Sequence, residues 1–289
     1  MFIAPVFHDL GYRVVVPDLL GYGGTSKPLD VKLYTFGYQA QDLIELLDSL
    51  GIKEVIPVGH DWGSGLAQRI YHFFPERVVA LVLLSVAYFP PGKEDSPRDP
   101  VAANDEFERV DGYRRFQYQE HFIEDDAPKI WDEHLESAWT AIHGSDQEMA
   151  MKLYCQPGNF REYISNDRRD NPVYDFVKNL AIRDPWIKSM REGGFAAPFH
   201  WYRAFWENVH STPEKDLPAE RAKVDVPVLY MYCEHDIVCL GSDVLPFAKQ
   251  GLLLDLTMYE IADIGHWVPY QRSEELNRLM KEWLEKKGL

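Results

Sequence analysis

The stretch Val78–Ser85, Val-Val-Ala-Leu-Val-Leu-Leu-Ser, constrains the fold of this chain more than any other. A strand with one face in water alternates apolar and polar residues, so a run that is apolar at successive positions must be covered on both faces. Arg13–Pro17 (Arg-Val-Val-Val-Pro), Val55–Val58, Val226–Tyr232 and Leu256–Ile261 are further short apolar runs that read as strands. Helical segments separate them. Thr35–Leu50 carries Leu43, Leu46, Leu47 and Leu50 at helical spacing with Gly51 placed as a C-cap, and Gly63–Phe74 stops before Pro75. Ser273–Lys287 has Ser273 as a candidate N-cap, glutamates at 274 and 275, and lysines in its last turn, a charge order that suits the helix dipole. The alternation predicts an α/β fold: a mostly parallel sheet flanked by helices.

After Ala87 the texture changes. Pro90, Pro91, Pro97 and Pro100 lie in a charged stretch, and aromatic-rich helical segments follow to about His210. The expected organisation is a sheet core over 1–87, an inserted helical cap over 88–221, and the rest of the core over 222–289. A cap so inserted is expected over the carboxyl ends of the strands, where such sheets bind ligands. Trp201 to Trp206 is expected to be partly cap core.

At 289 residues, 46% hydrophobic and 26% charged, the chain has ordinary globular composition. Its formal charge of −16 repels phosphate backbones and anionic lipid, so neither nucleic acid nor a membrane surface is expected as a partner. Cys155, Cys233 and Cys239 are odd in number and show no zinc-ligand spacing among themselves, which argues against a disulfide framework and for a reducing, cytoplasmic setting. Met1–Leu10 lacks the basic start of a secretory signal, and no stretch reaches the ~20 apolar residues of a membrane helix.

The chemistry centres on Gly59-His60-Asp61-Trp62-Gly63-Ser64-Gly65, between a strand and a helix. A nucleophile on a sharp strand-to-helix turn needs small neighbours because its backbone is strained. Asp61 is therefore the candidate nucleophile. Asp236, in Cys233-Glu234-His235-Asp236, and His266, in Ile264-Gly265-His266-Trp267, follow later strands in the order nucleophile, acid, histidine. Glu234 is the alternative orienting acid. His60 reads as a buried, hydrogen-bonded residue, and Asp263 as a support for its loop.

The Gly-His-Asp-Trp-Gly-Ser elbow and the later Gly-His-Trp resemble those of the soluble epoxide hydrolases, members of the α/β-hydrolase fold. The likeness extends from Gly11 to about Ser85 and through Phe116–Phe122, Phe199–Arg203, Glu234–Val238 and Gly265–Trp267. It implies that Tyr118, in Phe116-Gln117-Tyr118-Gln119, and Tyr202, in His200-Trp201-Tyr202-Arg203, reach the epoxide oxygen. It also implies a two-step reaction. Asp61 opens a small apolar epoxide to give an ester, and water activated by His266, itself held by Asp236, then releases a vicinal diol. The backbone N–H of Trp62 is the expected oxyanion donor. The reaction calls for no metal and no organic cofactor.

One family motif is missing. The His-Gly-x-Pro loop after the family's third strand has no counterpart, and Met1–Leu10 resembles the end of the helix that follows it. The N-terminal strands are thus expected to be absent, so that Arg13–Pro17 and Val55–Val58 either pair directly or leave a gap. Losing an oxyanion donor is expected to cost about 10²–10³ in rate, with ester hydrolysis suffering more than alkylation. Two other readings stand beside the epoxide reading. A haloalkane dehalogenase shares the Asp-Trp elbow but has no use for the tyrosine pair. A non-catalytic ligand binder would fit the missing loop but not the retained Asp61, Asp236 and His266.

Overall fold

The structure, a computed structural model, describes residues 3–289. It divides into two compact units, Met1–Val16 with Thr35–Asp95 and His210–Leu289, and Pro17–Tyr34 with Ser96–Val209. The first unit holds a parallel four-stranded sheet in the order β1 (Val58–His60), β2 (Leu81–Leu84), β3 (Val224–Cys233), β4 (Leu253–Ile261). The register sets His60 beside Leu84, Leu84 beside Met231, and Cys233 beside Ile261, which aligns the carboxyl ends of all four strands.

Helices α1 (Ala4–Asp9), α2 (Phe36–Ser49) and α3 (Trp62–Phe73) belong to the same unit. Thr35 caps α2 by accepting the Tyr38 N–H at 3.2 Å, and Gly51 follows its end at φ +69°. On one face of the sheet, Val82, Leu84, Leu229, Met231 and Ile261 pack with Leu276, Met280, Trp283 and Leu284 of the last helix, Ser273–Lys287. Leu81 and Leu83 point the other way by strand alternation and are fully buried too, and α3 packs on β1 and β2. The double-sided coverage expected of Val78–Ser85 is met by these four residues.

Beyond the sheet, the buried pair Arg69–Glu214, at 2.7 Å, ties α3 to the points where the chain leaves this unit and returns to it. The Arg69 guanidinium also donates to the carbonyls of Phe89 and Pro90, and Glu214 accepts the Gly92 N–H.

Three expectations need correction. Arg13–Pro17 forms no strand; among the described residues nothing pairs with it, and Val16 is 73% exposed. Neither does it pair with Val55–Val58, where Val55 makes only an isolated bridge to Val78 and the regular ladder begins at Val58. A short apolar run becomes a strand only when a neighbour takes up its backbone groups, and none does here. Ser273 is not the N-cap of the last helix: Arg272 is, with no side-chain cap bond, because the helical turn Val268–Gln271 runs almost directly into it. Finally, residues 17–34 cluster with the helical unit and not with the sheet. The reason is local. The Trp201 indole donates to the Leu20 carbonyl at 2.9 Å, Tyr34 lies 5.2 Å from the His200 ring, and Gly21, at φ +92°, leaves room for Ala197 where a Cβ would come within 3.3 Å.

The helical unit is held by aromatic packing. Trp131 stacks on Phe160 at 5.5 Å and meets Phe122 and Phe195 edge-on at 5.0 Å. Trp201 and Trp206 are both buried.

The last helix covers one face of the sheet core, with Trp283 fully buried and its indole donating to the Thr257 hydroxyl at 3.1 Å. Trp283→Ala should lower stability by about 3–5 kcal/mol, read as a drop in the urea midpoint. An unchanged midpoint would show that this helix does not close the core.

Candidate active site

β1 ends at His60 and α3 begins at Trp62, so Asp61 alone makes the turn. Its backbone sits at φ 55°, ψ −126°, a region costing a non-glycine residue about 1–3 kcal/mol. Neighbouring backbone holds it there. The Asp61 N–H donates to Leu84 of β2 at 3.2 Å, and its carbonyl accepts the Ser64 N–H at 2.9 Å. The turn is tight enough that a Cβ on Gly59 would lie 2.1 Å from the Gly63 carbonyl oxygen. Gly63 is different, since a Cβ there meets nothing within 4 Å. Of the two glycines that bracket Asp61, only Gly59 is required by space.

Asp236 lies in the loop after β3 and His266 in the loop after β4. His266 bridges the two acids, with Nδ1 2.8 Å from Asp236 Oδ2 and Nε2 3.4 Å from Asp61 Oδ2. The Asp236 side chain is 2% exposed and also accepts the backbone N–H groups of Val238 and Cys239. It is an anchored orienting group. The Asp61 side chain is 36% exposed, as an attacking group must be. Of the two candidate acids Asp236 is the one bonded to His266; the exposed Glu234 accepts the Asp263 N–H instead. His60 Nε2 lies 2.9 Å from the His266 carbonyl, so it carries the proton and donates. It thereby fixes the loop that presents His266.

The electrostatics follow from this packing. Burial pushes the Asp61 carboxyl up, but the hydrogen bond and charge of His266 outweigh it, and the group lies below its ordinary range. Asp236 is lowered in the same way, burial being overcome by His266 and by its two backbone donors. For His266, burial favours the neutral ring, yet Asp236 and Asp61 hold its pKa well above the ordinary value. His60 is driven down to about 4, first by burial and then by the adjacent charge of His266. The resting site is therefore an imidazolium between two carboxylates. The raised histidine adds stability that is complete below its unfolded pKa and lost as pH rises through its folded one. The lowered carboxylates add stability that is present above their unfolded pKa and lost as pH falls through their folded values.

Trp62 follows Asp61 directly, and its N–H hydrogen-bonds the Asp61 carboxylate. The two tyrosines lie in the helical unit, Tyr118 on the helix Gln117–Phe122 and Tyr202 on the helix Ala196–Trp206, with ring centroids 6.2 Å apart. Gln119 Nε2 donates to the Tyr118 hydroxyl at 2.9 Å while its Oε1 accepts the Trp206 indole. Sequence reasoning missed Cys239. Its thiol bonds to His266, and one donor atom each of Cys239, Asp61 and His266 lie within 4.8 Å of one another. The signal in the sequence is that Cys239 sits three residues after Asp236 in the same loop.

Residues 1–273 match the alpha/beta hydrolase fold family, to which this chain belongs. Bifunctional epoxide hydrolase 2 of Sus scrofa is 26% identical over 97% of the chain, yet the chain spans only 48% of that relative's length. Epoxide hydrolase 3 of Siraitia grosvenorii is 27% identical over 96% of the chain and 84% of the relative. Epoxide hydrolase A from Mycobacterium thermoresistibile has a solved structure that superposes with a TM-score of 0.79 at 25% identity, covering 98% of this chain and 86% of the other.

Two predictions test the site itself. Gly59→Ala should break the elbow and cost folding stability, whereas Gly63→Ala should be neutral or stabilising by up to about 1 kcal/mol, since alanine favours the helix. Equal thermal midpoints for the two variants would contradict this account of the turn. Asp61→Asn removes one of the charges holding the His266 proton, so the imidazole should titrate at lower pH, observable by NMR of its ring protons. An unmoved titration would mean that Asp61 and His266 are not coupled.

Proposed function

We propose that this chain is an epoxide hydrolase that converts a small, apolar epoxide and water to a vicinal diol. The observation that carries the reading is the placement of Asp61 on a strained elbow with His266 Nε2 3.4 Å from its carboxylate and Asp236 anchored behind. The names of the relatives and the tyrosine pair support it.

A carboxylate needs no base to attack an sp³ carbon, and the lowered Asp61 is ionised at neutral pH. In the first step an Asp61 oxygen bonds to an epoxide carbon as the C–O bond breaks. The leaving oxygen takes a proton from Tyr118 or Tyr202, because a free alkoxide is a poor leaving group. Forming the ester removes the Asp61 charge that had helped to hold the proton on His266, so the imidazolium gives it up to the tyrosinate left by the first step and becomes a base at the step that needs one. In the second step His266 Nε2 takes a proton from water, and the resulting hydroxide adds to the ester carbonyl. The oxyanion so formed is met by the Trp62 N–H and collapses to diol and free Asp61. The proton taken from water stays on His266 and restores the imidazolium of the resting site.

A reducing, cytoplasmic setting belongs to the same proposal and is supported by three buried cysteines, none of them in a disulfide. No helix among the described residues is long and apolar enough to cross a membrane.

The test is intact mass after brief mixing with excess styrene oxide, together with diol analysis. Wild type should yield diol, Asp61→Asn neither adduct nor diol, and His266→Gln a persistent adduct of enzyme plus one epoxide. Replacing both tyrosines by phenylalanine should slow adduct formation by about 10²–10⁴. An adduct in Asp61→Asn, or full activity without His266, would contradict the assignment.

A further inference from the structure

We propose that Cys239, His266 and Asp61 form a zinc site whose occupation shuts off the catalytic centre. The three side chains supply sulfur, imidazole nitrogen and carboxylate oxygen, the donor types zinc accepts in three-ligand sites that keep a fourth position for water. The spacing suits the ion. Zinc bonds of 2.0–2.3 Å in tetrahedral geometry set donors about 3.3–3.7 Å apart. His266 Nε2 and Asp61 Oδ2 are already 3.4 Å apart, and the donor atoms of all three residues lie within 4.8 Å. Closing the sulfur onto the ion requires a movement of at most about 1 Å from donors already within 4.8 Å, which a side-chain adjustment can supply.

The surroundings are those of a metal-bound histidine. Asp236 Oδ2 sits 2.8 Å from Nδ1 and is itself held by two backbone N–H groups, the carboxylate–histidine arrangement that orients an imidazole so that Nε2 faces a metal. His60 holds the same loop from behind through the His266 carbonyl. The nitrogen left to the metal is therefore Nε2, which lies 3.4 Å from Asp61 Oδ2. Binding displaces the Cys239 thiol proton and the Nε2 proton to the buffer, so zinc uptake releases acid and strengthens with pH. A second group of donors, Glu234, His235 and Asp263, is a weaker candidate. All three residues are exposed, no thiolate is among them, and Glu234 is already engaged by the Asp263 N–H.

The loss of activity rests on the epoxide-hydrolase reading, since the ion would occupy both the nucleophile and the base. Zinc binding itself does not rest on it. The experiment is calorimetric titration of the metal-free, full chain with zinc chloride, with no epoxide present, on wild type, Cys239→Ala, Cys239→Ser and His235→Ala. Wild type and His235→Ala should bind one ion with equal affinity and release protons. Both Cys239 variants should bind at least about 100-fold more weakly, beyond the loss seen when only an outer partner is removed. A parallel assay with styrene oxide should show wild-type turnover falling with zinc and recovering with EDTA, while each Cys239 variant keeps its own metal-free rate. Undiminished binding in both Cys239 variants, binding lost in His235→Ala, or no binding to wild type would overturn the proposal. If zinc binds through Cys239 but styrene oxide is never turned over, the metal site stands and the epoxide reading is what fails.

Discussion

The approach of Gly59 to the backbone of Gly63 is the constraint on which the rest of the site depends. With no Cβ at 59, β1 can run straight into the first turn of α3, and the one residue left between them is forced to φ 55°. That residue is Asp61. Its strain is held by the sheet, through the Leu84 carbonyl, and by the helix, through the Ser64 N–H. A flexible loop would let the carboxylate wander; this turn pins it at the carboxyl edge of the sheet, where the loops after β3 and β4 deliver Asp236 and His266. The three candidate groups, each after a separate strand end, thus meet because the register aligns those ends.

Charge organises what the backbone brings together. One imidazolium between two carboxylates is a stable arrangement at rest, and it leaves the histidine in the wrong protonation state for base catalysis. In the proposed reaction, esterification of Asp61 resolves this by neutralising one of the two anions. The same proximity that tunes His266 places a thiol beside it, which opens the site to a thiophilic ion.

Much of this was legible in the sequence because the signals were local or double-sided. Val78–Ser85 could only be a strand covered on both faces, and Gly-His-Asp-Trp-Gly between a strand and a helix marked the elbow. Asp236 and His266 followed from their places after later strands. What failed depended on partners far away in the chain. Arg13–Pro17 has the composition of a strand, but no neighbour among the described residues receives its backbone groups, so composition misled. Residues 17–34 join the helical unit through Trp201, Tyr34–His200 and Gly21–Ala197, contacts between segments more than 150 residues apart. Cys239 escaped notice because a mixed donor set has no signature in cysteine spacing.

The central claim is that Asp61 is consumed and regenerated as a nucleophile. A single turnover in ¹⁸O-water, with enzyme in excess over styrene oxide, tests it most directly. The account predicts that the diol of this first turnover carries no label and that one ¹⁸O appears in the Asp61 carboxylate, located by peptide mass spectrometry. Label in the diol with an unlabelled Asp61 would mean that water attacks the epoxide directly, and the assignment of Asp61 would be wrong.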